Sequence, residues 1–237
     1  MIRSLLATLA LVAGTAQAGS LTVNPIRLEL GATQAATSMT IGNAADAPTT
    51  VQVSVHEWRH ENGMDVLVPT TNRDAPIITP PMFRLAPGGS QIVRIGFATR
   101  GSNADEGRWR VIVEEVPPPF AAVGYREDGD ASQIAMRLRV SLPLFRLPAV
   151  ARSVLDWRLS ADGSALIASN RGSTTERIDR AQLTATGQTL ASIAGPVYLF
   201  PGEQRRFALS APVSAAVRLN VQGSVPVDDH ALALPAE

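Results

Sequence analysis

The sequence predicts an all-β protein made of two β-sandwiches in tandem. Apolar and polar residues alternate in one short segment after another, which is the period of a half-buried strand. Proline and glycine clusters punctuate these segments at short intervals. The helical template fits poorly anywhere beyond the first 18 residues.

Taken in order, residues 21–30 (LTVNPIRLEL) place apolar side chains at 21 and 23, then at 26, 28 and 30. The change of phase at Pro25 implies a bulge or a strand switch. Residues 38–48 form a strand that runs into a turn at Ala47-Pro48. Val51, Val53 and Val55 alternate strictly within 49–58. Glu61-Asn62-Gly63 is a turn signal ahead of residues 63–69, so these two strands read as a hairpin. Segments 90–97, 108–116 and 133–145 are again strand-like. Between the runs lie Pro80-Pro81, Pro87-Gly88-Gly89, Pro117-Pro118-Pro119 and Asp128-Gly129-Asp130. About seven strands in about 125 residues describe one sandwich. A second series, 154–170, 177–190, 197–209 and 215–223, repeats the style with glycine-bearing turns. The division falls near 147–152, giving sandwiches over 19–148 and 149–237 with a cleft between them. Trp58, Trp109 and Trp157 sit in strand-like runs, where core or interdomain packing is expected. Residues 228–237 carry no pairing pattern and are expected to fray.

Residues 1–18 read as a secretory signal peptide. Arg3 supplies the positive start, Leu5 to Gly14 the apolar run, and Ala16-Gln17-Ala18 the cleavage pattern. That run is too short to span a bilayer, and no later segment is long and apolar enough to do so. The formal net charge is zero, unlike that of a typical nucleic-acid binder. All 21 basic residues are arginine, and cysteine is absent. An exported chain of this kind holds together by core burial without using its oxidising compartment.

His56-Glu57-Trp58-Arg59-His60 fits H-E-x-x-H, a zinc protease signature. Such a site needs both histidines on one turn of a helix. The valines before His56 instead carry a strand, on which His56 and His60 share a face but sit roughly 13 Å apart. One zinc ion, with bonds of about 2.1 Å, cannot bridge them. Gly88-Gly89 leads into a strand rather than a phosphate-binding helix, and Asp128-Gly129-Asp130 lacks the calcium-loop spacing. No metal, cofactor or catalytic group is expected.

The most regular segment is 133–144. Ile134, Met136, Leu138, Val140, Leu142 and Leu144 share one face, with Gln133, Ala135, Arg137, Arg139 and Ser141 on the other. Six apolar residues on one face exceed what a strand of usual length offers its own core. One reading is a long core strand. The other is an edge strand whose apolar ridge continues into a partner by β-augmentation. Left empty, such an edge invites aggregation, which a self-capping dimer of the free protein would mask.

At this point the chain resembles the PapD-like periplasmic pilus chaperones. The resemblance rests on residues 24–30 (NPIRLEL), 40–48 (TIGNAADAP), the Trp58 strand, 80–95 (PPMFRLAPGGSQIVRI), 108–118 (RWRVIVEEVPP) and 133–145. In the second half it rests on 166–178 (LIASNRGSTTERI) and 198–207 (YLFPGEQRRF). Residues 140–145 (VSLPLF) look closer to the archaic branch. The resemblance implies a non-enzymatic chaperone with two immunoglobulin-like domains set at an angle. Its partners would be pilus or fimbrial subunits, each lacking its last strand, and an outer-membrane usher that receives them. The donor strand would carry Ile134, Met136, Leu138, Val140 and Leu142, although Pro143 after it lacks a ladder donor. The subunit carboxylate would be held in the cleft by two bases, the first Arg27. The family's usual lysine aligns with Ser141, so Arg139, on the same face, is the expected substitute and Arg137 the next choice. A different class, a secreted tandem-sandwich structural subunit or adhesin, would share the strands but assemble into surface fibres.

Overall fold

The computed structural model describes residues 21–70, 75–98, 104–116, 137–213 and 216–233. Residues 1–18, Ile134 and Met136 lie outside the described residues. Every regular element among those described is a strand.

In the first sandwich one sheet runs in the order β1 (Leu21–Asn24), β3 (Ala36–Asn43), β8 (Ser90–Gly96), β6 (Ile77–Thr79). The facing sheet runs β2 (Leu28–Leu30), β10 (Arg139–Arg146), β9 (Gly107–Val116), β4 (Thr49–Glu61), β5 (Met64–Pro69), with β7 (Met82–Leu85) also on β4. The chain therefore changes sheet between β1 and β2, which is why the alternation shifts phase at Pro25. The two inner faces meet over Leu28, Leu30, Ile41, Val51, Val93, Val111, Val113 and Leu144, all essentially inaccessible. Strands β4 and β5 pair from Glu61↔Met64 outward, leaving Asn62 and Gly63 as a two-residue turn. Both have positive φ, 52° and 77°, as a turn matching strand twist requires.

In the second sandwich, a sheet of β11 (Leu155–Leu159), β12 (Ala165–Asn170) and β15 (Gln204–Ala208) faces another. The latter runs β14 (Gln188–Leu199), β13 (Glu176–Ala185), β16 (Val217–Gly223), β17 (Val227–Leu232). Its core includes Leu159, Leu166, Ile178, Leu183 and Leu219. One expectation fails here. Residues 228–232 of the segment expected to fray instead belong to β17 and pair with β16, from Val217↔Leu232 to Val221↔Val227, while residues 234–237 lie outside the described residues. Between Val227 and Leu232 every residue of this edge strand is exposed, so no alternation marks it, and only its two ends reach the core, Leu232 buried and Val227 partly buried. The three tryptophans pack as expected: Trp109 in the first core, Trp157 against the second, and Trp58 between the sandwiches.

Candidate cleft and strand edge

The segment HEWRH lies wholly inside β4, a single strand of 13 residues. Its odd-numbered valines face the first core, so His56, Trp58 and His60 project from the opposite face. That face meets the second sandwich. Trp58, 1% exposed, clusters with Phe145 of β10 and with Phe200, which directly follows β14. Its ring lies edge-on to Tyr198 at 4.9 Å and to Phe200 at 5.0 Å. His60 stacks on Phe200 at 3.7 Å, with Nδ1 2.8 Å from Glu203 Oε2 and Nε2 2.9 Å from Asp65 Oδ1. Glu203 Oε2 also accepts the Phe200 N–H. On the other flank, Glu106 accepts the Thr175 N–H at 2.9 Å and the Thr175 hydroxyl. Burial pushes the Glu106 carboxyl above the usual glutamate range. No group of three or more His, Cys, Asp or Glu among the described residues is arranged to hold a metal ion.

Beside this seam opens a cleft of about 770 Å³. Its walls come from the Gly63–Asp65 hairpin tip, the middle of β10 at Ser141–Pro143, and β13, β14 and β15 of the second sandwich. Three arginines line it, Arg110, Arg177 and Arg205, against one carboxylate, Asp65. Arg110 is fixed on both sides. Its guanidinium lies 3.6 Å over the Trp58 ring and 5.2 Å from that of Tyr198, and Asp65 stands 3.7 Å away. Burial lowers its pKa from the ordinary arginine value, with Tyr198 and Asp65 opposing, yet the group stays charged. A largely desolvated cation whose one counter-ion stands at the long end of ion-pair range favours a second anion beside it.

Strand β10 leads into this cleft along a free edge. On one side it pairs with β9 along its whole length. On the other, β2 covers only Leu144 to Arg146, in parallel. Among the described residues nothing pairs with Arg139–Pro143 on that side. The apolar face of the strand emerges gradually. Leu144 is 0% and Leu142 3% exposed, while Val140 and Leu138 are half-buried.

Residues 20–151 match the family described as pili and flagellar-assembly chaperone, PapD N-terminal domain. The chain belongs to this chaperone family. Solved relatives share the two-domain fold at low identity. The chaperone of the archaic Csu pili of Acinetobacter baumannii, in its pre-assembly complex with a tip adhesion subunit, is similar at 17% identity and TM-score 0.62, covering 90% of this chain and 98% of that one. A Salmonella enterica complex of the SafA pilin with the SafB chaperone gives 18% and 0.62, covering 91% and 96%. The Pseudomonas aeruginosa CupB2 chaperone gives 19% and 0.61, covering 84% and 92%. No curated protein sequence matches significantly. The fold is thus that of two immunoglobulin-like sandwiches, as in pilus chaperones.

Set on the chaperone fold, the expected site residues scatter. Arg27 stacks 4.6 Å over Phe145 and donates to Glu29 at 2.6 Å, on the flank of the seam; its neighbour Ile26, not Arg27, lines the cleft. Arg139, expected as the second cleft base, does not line the cleft. It is 61% exposed, 3.8 Å from Glu114, and borders a separate depression with Arg137 and Glu115. The cleft begins two residues later, at Ser141, so the shared face of Arg139 and Ser141 is not enough to bring Arg139 in. Leu142, expected as a donor, sits in the chain's own first core. The sequence reading missed Arg110, Arg177 and Arg205. Only Arg110 had a signal: register pairs it with Pro143 and His56, so it shares the outward face of β9 with the cleft end of β10.

Proposed function

We propose that this chaperone is exported to the periplasm through a cleaved signal peptide, residues 1–18, with domains over 19–148 and 149–237. There it stabilises pilus or fimbrial subunits by lending them β10, and passes them to an outer-membrane usher. The observation that carries this is the open edge at Arg139–Pro143 running into a cleft walled by arginines. Direction follows from charge. A strand added parallel to β10 brings its C-terminal end to the cleft, where a carboxylate meets Arg110, with Arg27 on the flank. An antiparallel strand would bring a terminal ammonium there instead, against three cations. Leu138 and Val140 form the described part of the apolar ridge offered to the subunit, and the alternation in the sequence continues it to Met136 and Ile134. Fully burying an exposed side chain of this size contributes about 1.5–3 kcal/mol, and half-buried Leu138 and Val140 contribute a part of that. Arg139 reaches the carboxylate only by leaving Glu114. Family membership leaves the structural-subunit alternative without support.

The test is co-expression with a pilin subunit. Leu138→Asp should abolish recovery of the complex while the chaperone stays folded by circular dichroism. Arg27→Ala and Arg110→Ala should each weaken capture. Full recovery with a folded Leu138→Asp variant would sink the donor-strand mechanism.

A further inference from the structure

His60 takes no part in strand donation. It closes the seam from β4 of the first sandwich, with 8% of its side chain exposed. Both of its ring nitrogens face carboxylates. Nδ1 lies 2.8 and 3.0 Å from the two oxygens of Glu203, and Nε2 lies 2.9 Å from Asp65 Oδ1. Neither carboxylate is placed by accident of the surface. Asp65 stands directly opposite His60 in the β4–β5 ladder. Glu203 ends the turn Phe200-Pro201-Gly202-Glu203, where its N–H donates to the Phe200 carbonyl at 3.0 Å and Gly202 has a φ of 80°, as a type II turn requires. The Phe200 N–H returns a bond to Glu203 Oε2 at 2.8 Å, which fixes the carboxylate beneath the imidazole. The other charges near the ring come from β9: Arg110, 3.7 Å from Asp65, and Arg108, over the Phe200 ring at 4.4 Å. Arg59 and Glu61 alternate to the other face of β4, and Arg205 of β15 meets the hairpin at Gly63.

We infer that His60 is a proton-operated latch between the two sandwiches, closed as the imidazolium and loosened as the neutral ring. Burial and the two arginines of β9 act against the charge; the two carboxylates in contact with the ring act for it. The count of N–H groups decides between them. A neutral imidazole has one N–H, so it donates to Glu203 or to Asp65 but not to both. The other nitrogen then turns its lone pair on a carboxylate at 2.8 or 2.9 Å, and relief requires that contact to open. The imidazolium donates to both. Its bond to Asp65 steadies the ring on its own sandwich, and its bond to Glu203 crosses to the other. Closing the seam adds Glu203 to a ring that already faces Asp65. Closure therefore favours proton uptake, and by linkage a fall in pH favours closure. Histidine is the side chain that changes charge between about pH 5 and 8, so the latch works from mild acid to mild alkali. The cleft of about 770 Å³ opens beside this seam, so the latch governs how firmly its two walls are held together.

The test follows hydrogen exchange of the Trp58 indole N–H by NMR in the full chain. That group is buried in the seam and has no hydrogen-bond partner, so the closed seam is what protects it. Glu106→Gln serves as the common background, because it removes the seam carboxyl whose own titration would overlap. Protection, taken relative to free indole at the same pH, should fall about tenfold between about pH 5.5 and about pH 8, as the bond to Glu203 loses the charge on its donor. His60→Gln keeps a donor and an acceptor but takes up no proton, and its protection should be flat over this range. Glu203→Gln keeps an acceptor for the Phe200 N–H and should also be flat; it carries the test if the first variant does not fold. Asp65→Asn removes the competitor for the single N–H and should leave a smaller fall than the wild-type side chain. Protection that does not change with pH in the Glu106→Gln background overturns the latch. A full pH dependence surviving in folded His60→Gln or Glu203→Gln overturns its assignment to this pair.

Discussion

Phe200→Ala isolates the seam from the two cores. The ring is 4% exposed and belongs to the cluster between the sandwiches, not to either interior. It stacks on His60 at 3.7 Å, takes the Trp58 edge at 5.0 Å, and lies under the Arg108 guanidinium at 4.4 Å. Truncating a buried phenylalanine costs about 3–5 kcal/mol. The aromatic pairs account for about 0.5–1.5 kcal/mol each beyond area, and the cation contact for about 0.5–1. The loss falls on coupling, because the first core around Leu28 and Val111 and the second around Leu159 and Leu219 keep all their residues. The assay is scanning calorimetry with small-angle scattering. The wild type should melt with its sandwiches coupled. In the variant the less stable sandwich should melt separately, more than about 10 °C lower, since 1 kcal/mol shifts a domain of this size by about 4–8 °C. Its radius of gyration should also rise. A single transition within about 2 °C of wild type would refute the placement of coupling energy in this cluster.

Three further outcomes follow from other positions. Glu106 has a folded-state pKa raised by burial, so its protonated form contributes stability that is full below the unfolded value near 4.5 and is lost as pH rises through the folded value. Thermal stability measured upward from pH 4 should therefore fall more steeply in the wild type than in Glu106→Gln; parallel curves would count against the buried tether. Gly163→Ala should destabilise the second sandwich by roughly 1–3 kcal/mol in urea unfolding, because φ is +65° and a Cβ would collide with the Val213 carbonyl oxygen. Adding zinc, or removing it with a chelator, should leave the melting temperature unchanged, since His56 and His60 lie on a continuous strand; a metal-dependent shift would reopen the H-E-x-x-H reading.

The fold was legible because its signals are local. The valines of β4, the Asn62-Gly63 turn and the phase shift at Pro25 each report their own backbone, and each appears in the structure where the alternation puts it. The cleft was less legible because it is a product of docking. Arg205 and Arg110 lie 95 positions apart in sequence and come from different sandwiches, so no spacing rule connects them. Counting along one strand leads to Arg139. Counting gives its face correctly, but not where the second sandwich begins to cover that face. Strand β17 escaped for the opposite reason: an exposed edge has little to alternate.

The seam also determines how well the cleft can bind. A free arginine loses rotamer freedom when it grips a carboxylate, and that loss subtracts from affinity. Arg110 has already lost it, pinned between the Trp58 ring and Asp65 before any ligand arrives. Trp58 is itself held by Phe200 and Tyr198 from the second sandwich. Loosening the seam should therefore weaken carboxylate binding even when every cleft arginine is intact. In Phe200→Ala a strand-forming peptide with a free C-terminal carboxylate should lose more affinity, read by fluorescence anisotropy, than the same peptide as its C-terminal amide, because only the acid uses the preorganised cation. Equal losses for both peptides would mean that the seam supports the strand edge and not the charge.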